Sequence, residues 1–143
     1  MSDLEKAKSY CFKYLSKCLI SESSMCKKLK DKGFNDDVIN KCIDICIDYD
    51  YLNDSTYTSN FISNSLNFKN WGYFKIKQKL IEKGIKSNII EKSLDMIDFK
   101  TKAIDVAERK FSSYDDRDKT FKYMQNNGFK TSEILYAFKE LEI

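Results

Sequence analysis

The sequence predicts an all-α protein of three tandem three-helix repeats, residues 1–52, 53–98 and 99–143, forming a curved, elongated helical array. One stretch carries the prediction because it occurs three times: Leu29–Ile39, Leu80–Ile90 and Met124–Ile134. Its glycines, Gly33, Gly84 and Gly128, lie 51 and then 44 residues apart, the period of a two- or three-helix repeat. Each copy reads as one helix ending and another starting. The glycine falls at C′, where the backbone turns left-handed and only glycine does so without strain. Counting back puts Leu29, Leu80 and Met124 at C3, and counting forward puts Phe34, Ile85 and Phe129 at C″. That is the apolar pair a Schellman ending brings together. Asp36, Ser87 and Thr131, three residues past each glycine, are expected as N-caps of the following helices.

The elements follow in order. Leu4, Ala7, Cys11, Tyr14, Leu15 and Cys18 recur at spacings of three and four, predicting an amphipathic helix over 4–19. Ser21 is the expected N-cap of a second helix with Met25, Cys26 and Leu29 inward. A third, from about Asp37 to Ile47, buries Val38, Ile39, Cys42, Ile43 and Cys46. Asp48–Asp54 is acidic but lacks the glycine and glutamate spacing of a calcium loop, so Asp54 is expected to cap the next helix, with Tyr51 and Leu52 packed inward. In the second repeat Tyr57, Phe61, Ile62, Ser65 and Leu66 line the first helix, and Leu66 precedes Leu80 by the same 14 residues that separate Leu15 from Leu29. A link with Asn70 and Gly72 as breakers leads to Tyr73, Ile76 and Leu80, then to Ile89, Ile90, Leu94 and Ile97. The third repeat begins near Phe99, with Ala103, Ile104, Val106, Ala107 and Phe111 inward, then Phe121 and Met124, then Ile134, Ala137, Phe138 and Leu141. Asp115, Asp116 and Asp118 sit at a helix start, where acidic side chains offset the helix dipole.

Composition narrows the function classes. The chain has 143 residues and no proline, so nothing interrupts its helices. It has no histidine, and its five cysteines contain no CxxC pair, which argues against a zinc site or a disulfide scaffold. Buried small hydrophobes is the reading those cysteines receive. No metal, cofactor or catalytic residue is expected. No apolar run is long enough to cross a bilayer, and Met1–Lys6 lacks a signal-peptide core, so the expectation is a cytoplasmic monomer without membrane contact.

The net charge of +3 is small, but its distribution is uneven. Residues 1–52 balance nine basic against nine acidic side chains, whereas residues 69–92 hold seven lysines against Glu82 and Glu91. Lys75, Lys79 and Lys83 form a stripe beside the core face of one helix, with Lys86 in the turn beyond. The stripe is either a solvated face or a surface for an anionic partner, and Lys75, Lys79, Lys83 and Lys86 are the candidate partner-binding residues. Phe68, Trp71, Tyr73 and Phe74 cluster beside it; they either pack one repeat on the next or stack single-stranded bases. With only two arginines, Arg109 and Arg117, bidentate base reading is an unpromising speciality.

With these residues placed, the chain resembles the RecX family along nearly its whole length. Leu15-Ser16-Lys17, Ser21-Glu22, Met25, Lys28-Leu29 and Lys32-Gly33-Phe34 are similar to the family's opening pattern. Tyr51-Leu52-Asn53-Asp54 with Tyr57 resembles its G-Y-L-[ND]-D-x-x-[FY]-A stretch. Gly72, Ile76, Gln78, Leu80 and Lys83-Gly84-Ile85 resemble G-x-x-x-I-x-x-x-L-x-x-K-G-[IV], and Asn127-Gly128-Phe129 with Ile134 and Ala137 resembles the closing R-G-F helix. Thr58 stands where alanine is usual, Asp50 where glycine often precedes the tyrosine, and Ile20, Phe74 and Asn126 where the family tends to be basic. The resemblance implies a regulator that lodges in the groove of the RecA nucleoprotein filament, with DNA as a further partner through the filament, and inhibits RecA's ATPase, strand-exchange and co-protease activities. The alternative is a helical nucleic-acid-binding module that acts without RecA, motivated by the lysine stripe.

Overall fold

The computed structural model describes residues 1–143 as nine α-helices and no strand: α1 (Asp3–Leu15), α2 (Glu22–Asp31), α3 (Asp36–Asp48), α4 (Asp54–Phe68), α5 (Tyr73–Glu82), α6 (Ser87–Asp95), α7 (Phe99–Tyr114), α8 (Arg117–Asn126) and α9 (Thr131–Glu140). They pack in three groups of three, α1–α3, α4–α6 and α7–α9. Each group has its own core. Ala7, Cys11, Met25, Leu29, Ile39, Cys42 and Leu52 fill the first. Ile62, Ile76, Leu80, Ile90 and Leu94 fill the second, joined by Phe99 from the start of α7. Ala103, Val106, Met124, Ile134 and Phe138 fill the third. Burying one such side chain stabilises by roughly 1.5–3 kcal/mol, and the small residues Ala7, Ala103 and Ala107 mark where helices approach closely.

All three glycine turns have the expected form. Gly33, Gly84 and Gly128 take φ of 91°, 79° and 91°. In each, the C″ amide donates to the C3 carbonyl: Phe34 to Leu29 at 3.2 Å, Ile85 to Leu80 at 3.2 Å and Phe129 to Met124 at 3.1 Å. The glycine amide donates to the C2 carbonyl of Lys30, Ile81 or Gln125. The expected N-caps are displaced by one residue. Asn35, Lys86 and Lys130 hold the N-cap position, so Asp36, Ser87 and Thr131 are already helical. The Schellman turn uses one fewer extended residue than the count assumed. Asn35 accepts from the Val38 amide at 2.9 Å, but a lysine side chain has no acceptor. At α9 the Glu133 carboxylate compensates by accepting the Lys130 amide at 2.8 Å.

Three further expectations are corrected. Asn53, not Asp54, caps α4, accepting the Thr56 amide at 3.1 Å. α1 stops at Leu15, so Cys18 lies beyond it and is exposed rather than sharing the buried face of Cys11. Leu52 is buried but Tyr51 is 53% exposed, because Asp50 turns left-handed at φ 59° and sends the next side chain outward. That turn is a fourth Schellman ending, with Tyr51 donating to Cys46 at 2.8 Å. It explains why glycine suits the position and why aspartate, tolerant of the left-handed region, can replace it.

The groups are joined by their turns. Ser21, fully buried at the start of α2, donates from its hydroxyl to the Lys83 carbonyl at 2.9 Å. The Glu22 amide donates to the Asp54 carboxylate at 2.9 Å. At the second junction the Gly72 amide donates to the Asn127 carbonyl at 2.8 Å and the Phe74 amide to the Gly128 carbonyl at 2.9 Å. A Cβ on Gly72 would lie 2.7 Å from the Phe129 backbone nitrogen, so this residue is glycine for close approach and not only as a breaker. Asn70, Tyr123, Arg109 and Asp105 extend the junction: Asn70 donates to the Tyr123 hydroxyl at 2.8 Å and accepts from Arg109 at 2.7 Å, while Arg109 also grips Asp105.

Two stability measurements test this architecture. A Cβ on Gly33 meets nothing within 4 Å, on Gly84 it would lie 2.5 Å from the Ser23 side chain, and on Gly128 it would lie 2.3 Å from the Lys75 backbone nitrogen. Replacement by alanine should cost about 1 kcal/mol at Gly33 from left-handed strain alone, more at Gly84 and most at Gly128; equal costs in urea unfolding would mean that the junctions do not form. Thr58 is fully buried and its hydroxyl has no hydrogen-bond partner. Thr58→Val should therefore stabilise by about 1 kcal/mol with an unchanged denaturant m-value, and a loss of stability would show that the hydroxyl is satisfied.

Candidate functional site

α5 places its lysines by helical geometry, with Ile76 and Leu80 buried and the cations flanking them. The structure divides the predicted stripe between two junctions. Lys75 lies at the second. Its Nζ is 5.8 Å from the centroid of Trp71, and Lys69 approaches the same ring at 5.7 Å. Lys130, from the start of α9, sits 4.2 Å from the Tyr73 centroid and 6.0 Å from that of Phe74, and Lys77 is 5.7 Å from Tyr73. Cation–π contacts of this length hold ammonium groups over ring faces without neutralising them. Lys79 is the exception, paired with Glu82 at 3.8 Å on an exposed surface where such a pair is weak.

Lys83 and Lys86 belong to the other end of α5. Lys83 is the C-cap residue and lines a recess of ≈ 440 Å³ with Tyr14, Ile20, Lys27, Lys28, Asp31 and Tyr57, three lysines against one carboxylate. Lys28 lies 4.9 Å from the Tyr14 centroid. Lys86 is the N-cap of α6 and acts on Glu22. The predicted lysines thus do not form one stripe: Lys75 belongs to an aromatic-backed patch at the second junction, Lys83 and Lys86 to the first, and Lys79 to neither. Lys69, Lys130, Lys27 and Lys28 complete the patches, and sequence periodicity missed these because they come from α2 and from the ends of α4 and α9, not from α5.

The aromatics divide as well. Trp71 packs on Phe61 at 6.4 Å, and Tyr73 meets Phe99 edge-on at 5.8 Å, so these two join elements. Phe68 and Phe74 are 79% and 53% exposed and present open ring surface beside Lys69 and Lys75. Both arginines are engaged, Arg109 by Asp105 and Asn70 and Arg117 over the Phe138 ring at 4.9 Å. Asp116 accepts the Lys119 amide at 3.0 Å, as expected for a helix start.

A recess of ≈ 700 Å³ between α4 and α6 is lined by Ser55, Ser59, Ser63, Leu66, Ile89 and Met96 among others; its polar groups are hydroxyls, an amide and Lys92. Elsewhere, burial pushes the thiols of Cys11 and Cys46 up, Cys46 to about 11, so both are protonated at neutral pH. No helix is long and apolar enough to cross a membrane.

Family models match within the first two groups of helices. The model of "RecX, first three-helix domain" matches residues 7–46, and that of "RecX, second three-helix domain" matches residues 53–94. Regulatory protein RecX of Caldanaerobacter subterraneus subsp. tengcongensis is 30% identical over 136 residues, covering 92% of this chain and 68% of that protein. The Streptococcus agalactiae serotype V protein of the same name is 29% identical over 149 residues, covering 99% of this chain but 58% of its own length. The crystal structure of RecX from Lactobacillus salivarius superposes with a TM-score of 0.91 at 27% identity, over 98% of this chain and 97% of that one.

Glu22 offers a pH test of the first junction. Burial first, and then the neighbouring Asp54 carboxylate, push its carboxyl up, while Lys86 pulls it down. A group raised on folding contributes stability below its unfolded value and loses it as pH rises through the folded value. Glu22→Gln should be the more stable protein at pH 7, by less than about 1 kcal/mol because the site is half-exposed, with the gain closing near pH 4; urea unfolding at the two pH values measures it.

Proposed function

The chain belongs to the RecX family, and from that premise we propose that it is a binding regulator that docks along the RecA nucleoprotein filament and inhibits RecA's ATPase, strand-exchange and co-protease activities. The family supports a regulatory role. The observation that carries the docking mode is the pair of basic, aromatic-backed patches set at the two junctions of a helical array. Such an array offers a long surface in place of a deep pocket, and a repeating polyanionic filament can meet both patches together. Two weak patches on one rigid frame then bind as a bivalent unit, because the second contact is intramolecular once the first has formed. Lysines over ring faces keep their charge available to phosphate or carboxylate, and they give electrostatic steering with little base specificity.

The same patches favour a second reading, a module that binds single-stranded nucleic acid without RecA, with Phe68 and Phe74 as exposed stacking rings. Engagement of both arginines inside the protein weighs against sequence-specific binding.

Purified protein added to RecA on single-stranded DNA should slow ATP hydrolysis at stoichiometric amounts; no slowing rejects the first reading. Lys75→Glu with Lys79→Glu should weaken inhibition roughly tenfold and flatten its salt dependence while leaving helicity unchanged. Tight, salt-sensitive binding to the same DNA in the absence of RecA favours the second reading.

A further inference from the structure

The first core contains a group that the regulatory surface does not use. Cys42 and Cys46 stand one turn apart on the inner face of α3, and Cys11 faces them from α1. All three side chains are fully buried, and their sulfurs lie within 4.8 Å of one another, Cys11 and Cys42 at 3.4 Å. We propose that Cys11, Cys42 and Cys46 form a three-thiol site for a trivalent thiophilic metalloid of the arsenite or antimonite class.

Geometry admits such a centre. An atom bonded at about 2.3 Å to two sulfurs holds them about 3.4–4 Å apart for bond angles of roughly 95–120°. Cys11 and Cys42 already stand at that spacing, and Cys46 needs only a side-chain adjustment. Charge selects the valence. The packed neighbours are apolar, including Ala7, Met25, Leu29, Ile39, Ile43 and Leu52, and no lysine or arginine is buried with them. Three thiolates around a monovalent or divalent ion would leave a net negative charge in that core, at a cost of several kcal/mol. Zinc would also lack the fourth ligand it takes in closed sites. A trivalent centre leaves no charge.

The reaction balances without an oxidant or a base. Arsenous acid condenses with three thiols; three As–O bonds break, three As–S bonds form, the three thiol protons leave with the three hydroxyls as water, and arsenic keeps its oxidation state. Entry requires α1 to open. α1 lies at one end of the array and packs chiefly on α3, which makes it a candidate for local opening. Once formed, the bonds tie α1 to α3.

The test uses the full chain, kept reduced with a phosphine, and sodium arsenite. The expected intact mass gains one arsenic and loses three hydrogens, and Tm rises with arsenite concentration. Cys18→Ser with Cys26→Ser should leave both results unchanged, since Cys18 is exposed and Cys26 lies outside the trio. Cys42→Ala and, separately, Cys46→Ser should weaken binding at least tenfold. No adduct and no shift in Tm with the parent protein overturns the proposal. Equal binding by a folded Cys42→Ala or Cys46→Ser variant overturns it too. Binding of Zn(II) as tight as arsenite overturns the assignment of a trivalent ligand.

Discussion

Everything in this fold depends on helix ends that satisfy one another. An α-helix leaves carbonyls free at its C-terminus and amides free at its N-terminus, with partial charges of opposite sign. The glycine turn closes most of the carbonyls internally through its paired bonds, and it leaves the C-cap and glycine carbonyls pointing out. In two of the three turns the start of the preceding group's second helix meets them: the Ser21 hydroxyl at Lys83, and the Gly72 and Phe74 amides at Asn127 and Gly128. One left-handed residue therefore ends a helix, aims the next, and supplies the joint between groups. The absence of a Cβ at Gly84 and Gly128 is needed twice over, for φ and for contact with Ser23 or Lys75.

The two outer surfaces of the array differ from these joints in chemistry. The Gly33 turn has open space where the other two have a neighbour. At the start of α8, Asp116 stands where Ser21 and Gly72 donate in the other groups, and its carboxylate accepts from its own helix. A carboxylate cannot donate to a carbonyl, so Asp116 cannot repeat the side-chain contact that Ser21 makes with Lys83 at the first junction.

The placement of the basic patches follows from the same joints. Each junction brings the start of one group's second helix against the end of the next group's, and this carries lysines from several elements to one place. Lys83 meets Lys27 and Lys28 around Tyr14, Ile20 and Tyr57 at the first. Lys69 and Lys75 flank Trp71, with Lys130 over Tyr73, at the second. The spacing of such patches is set by how the groups pack on one another.

The sequence by itself determined the helices, their inward faces and the three glycine turns, because these rest on contacts within about five residues: a C3–C″ pair, a φ that only glycine takes freely, apolar spacings of three and four. It misplaced by one residue the N-caps after those turns, and it gave Tyr51 the wrong side, since neither is decided by periodicity. Only the tertiary structure decided what crosses long separations. It sent Lys75 to one patch and Lys83 with Lys86 to the other, paired Lys79 with Glu82, joined Ser21 to Lys83, and gathered Cys11 with Cys42 and Cys46. The reason is physical: a helical stripe says which residues share a face, but which faces meet is settled by packing between elements far apart in the chain.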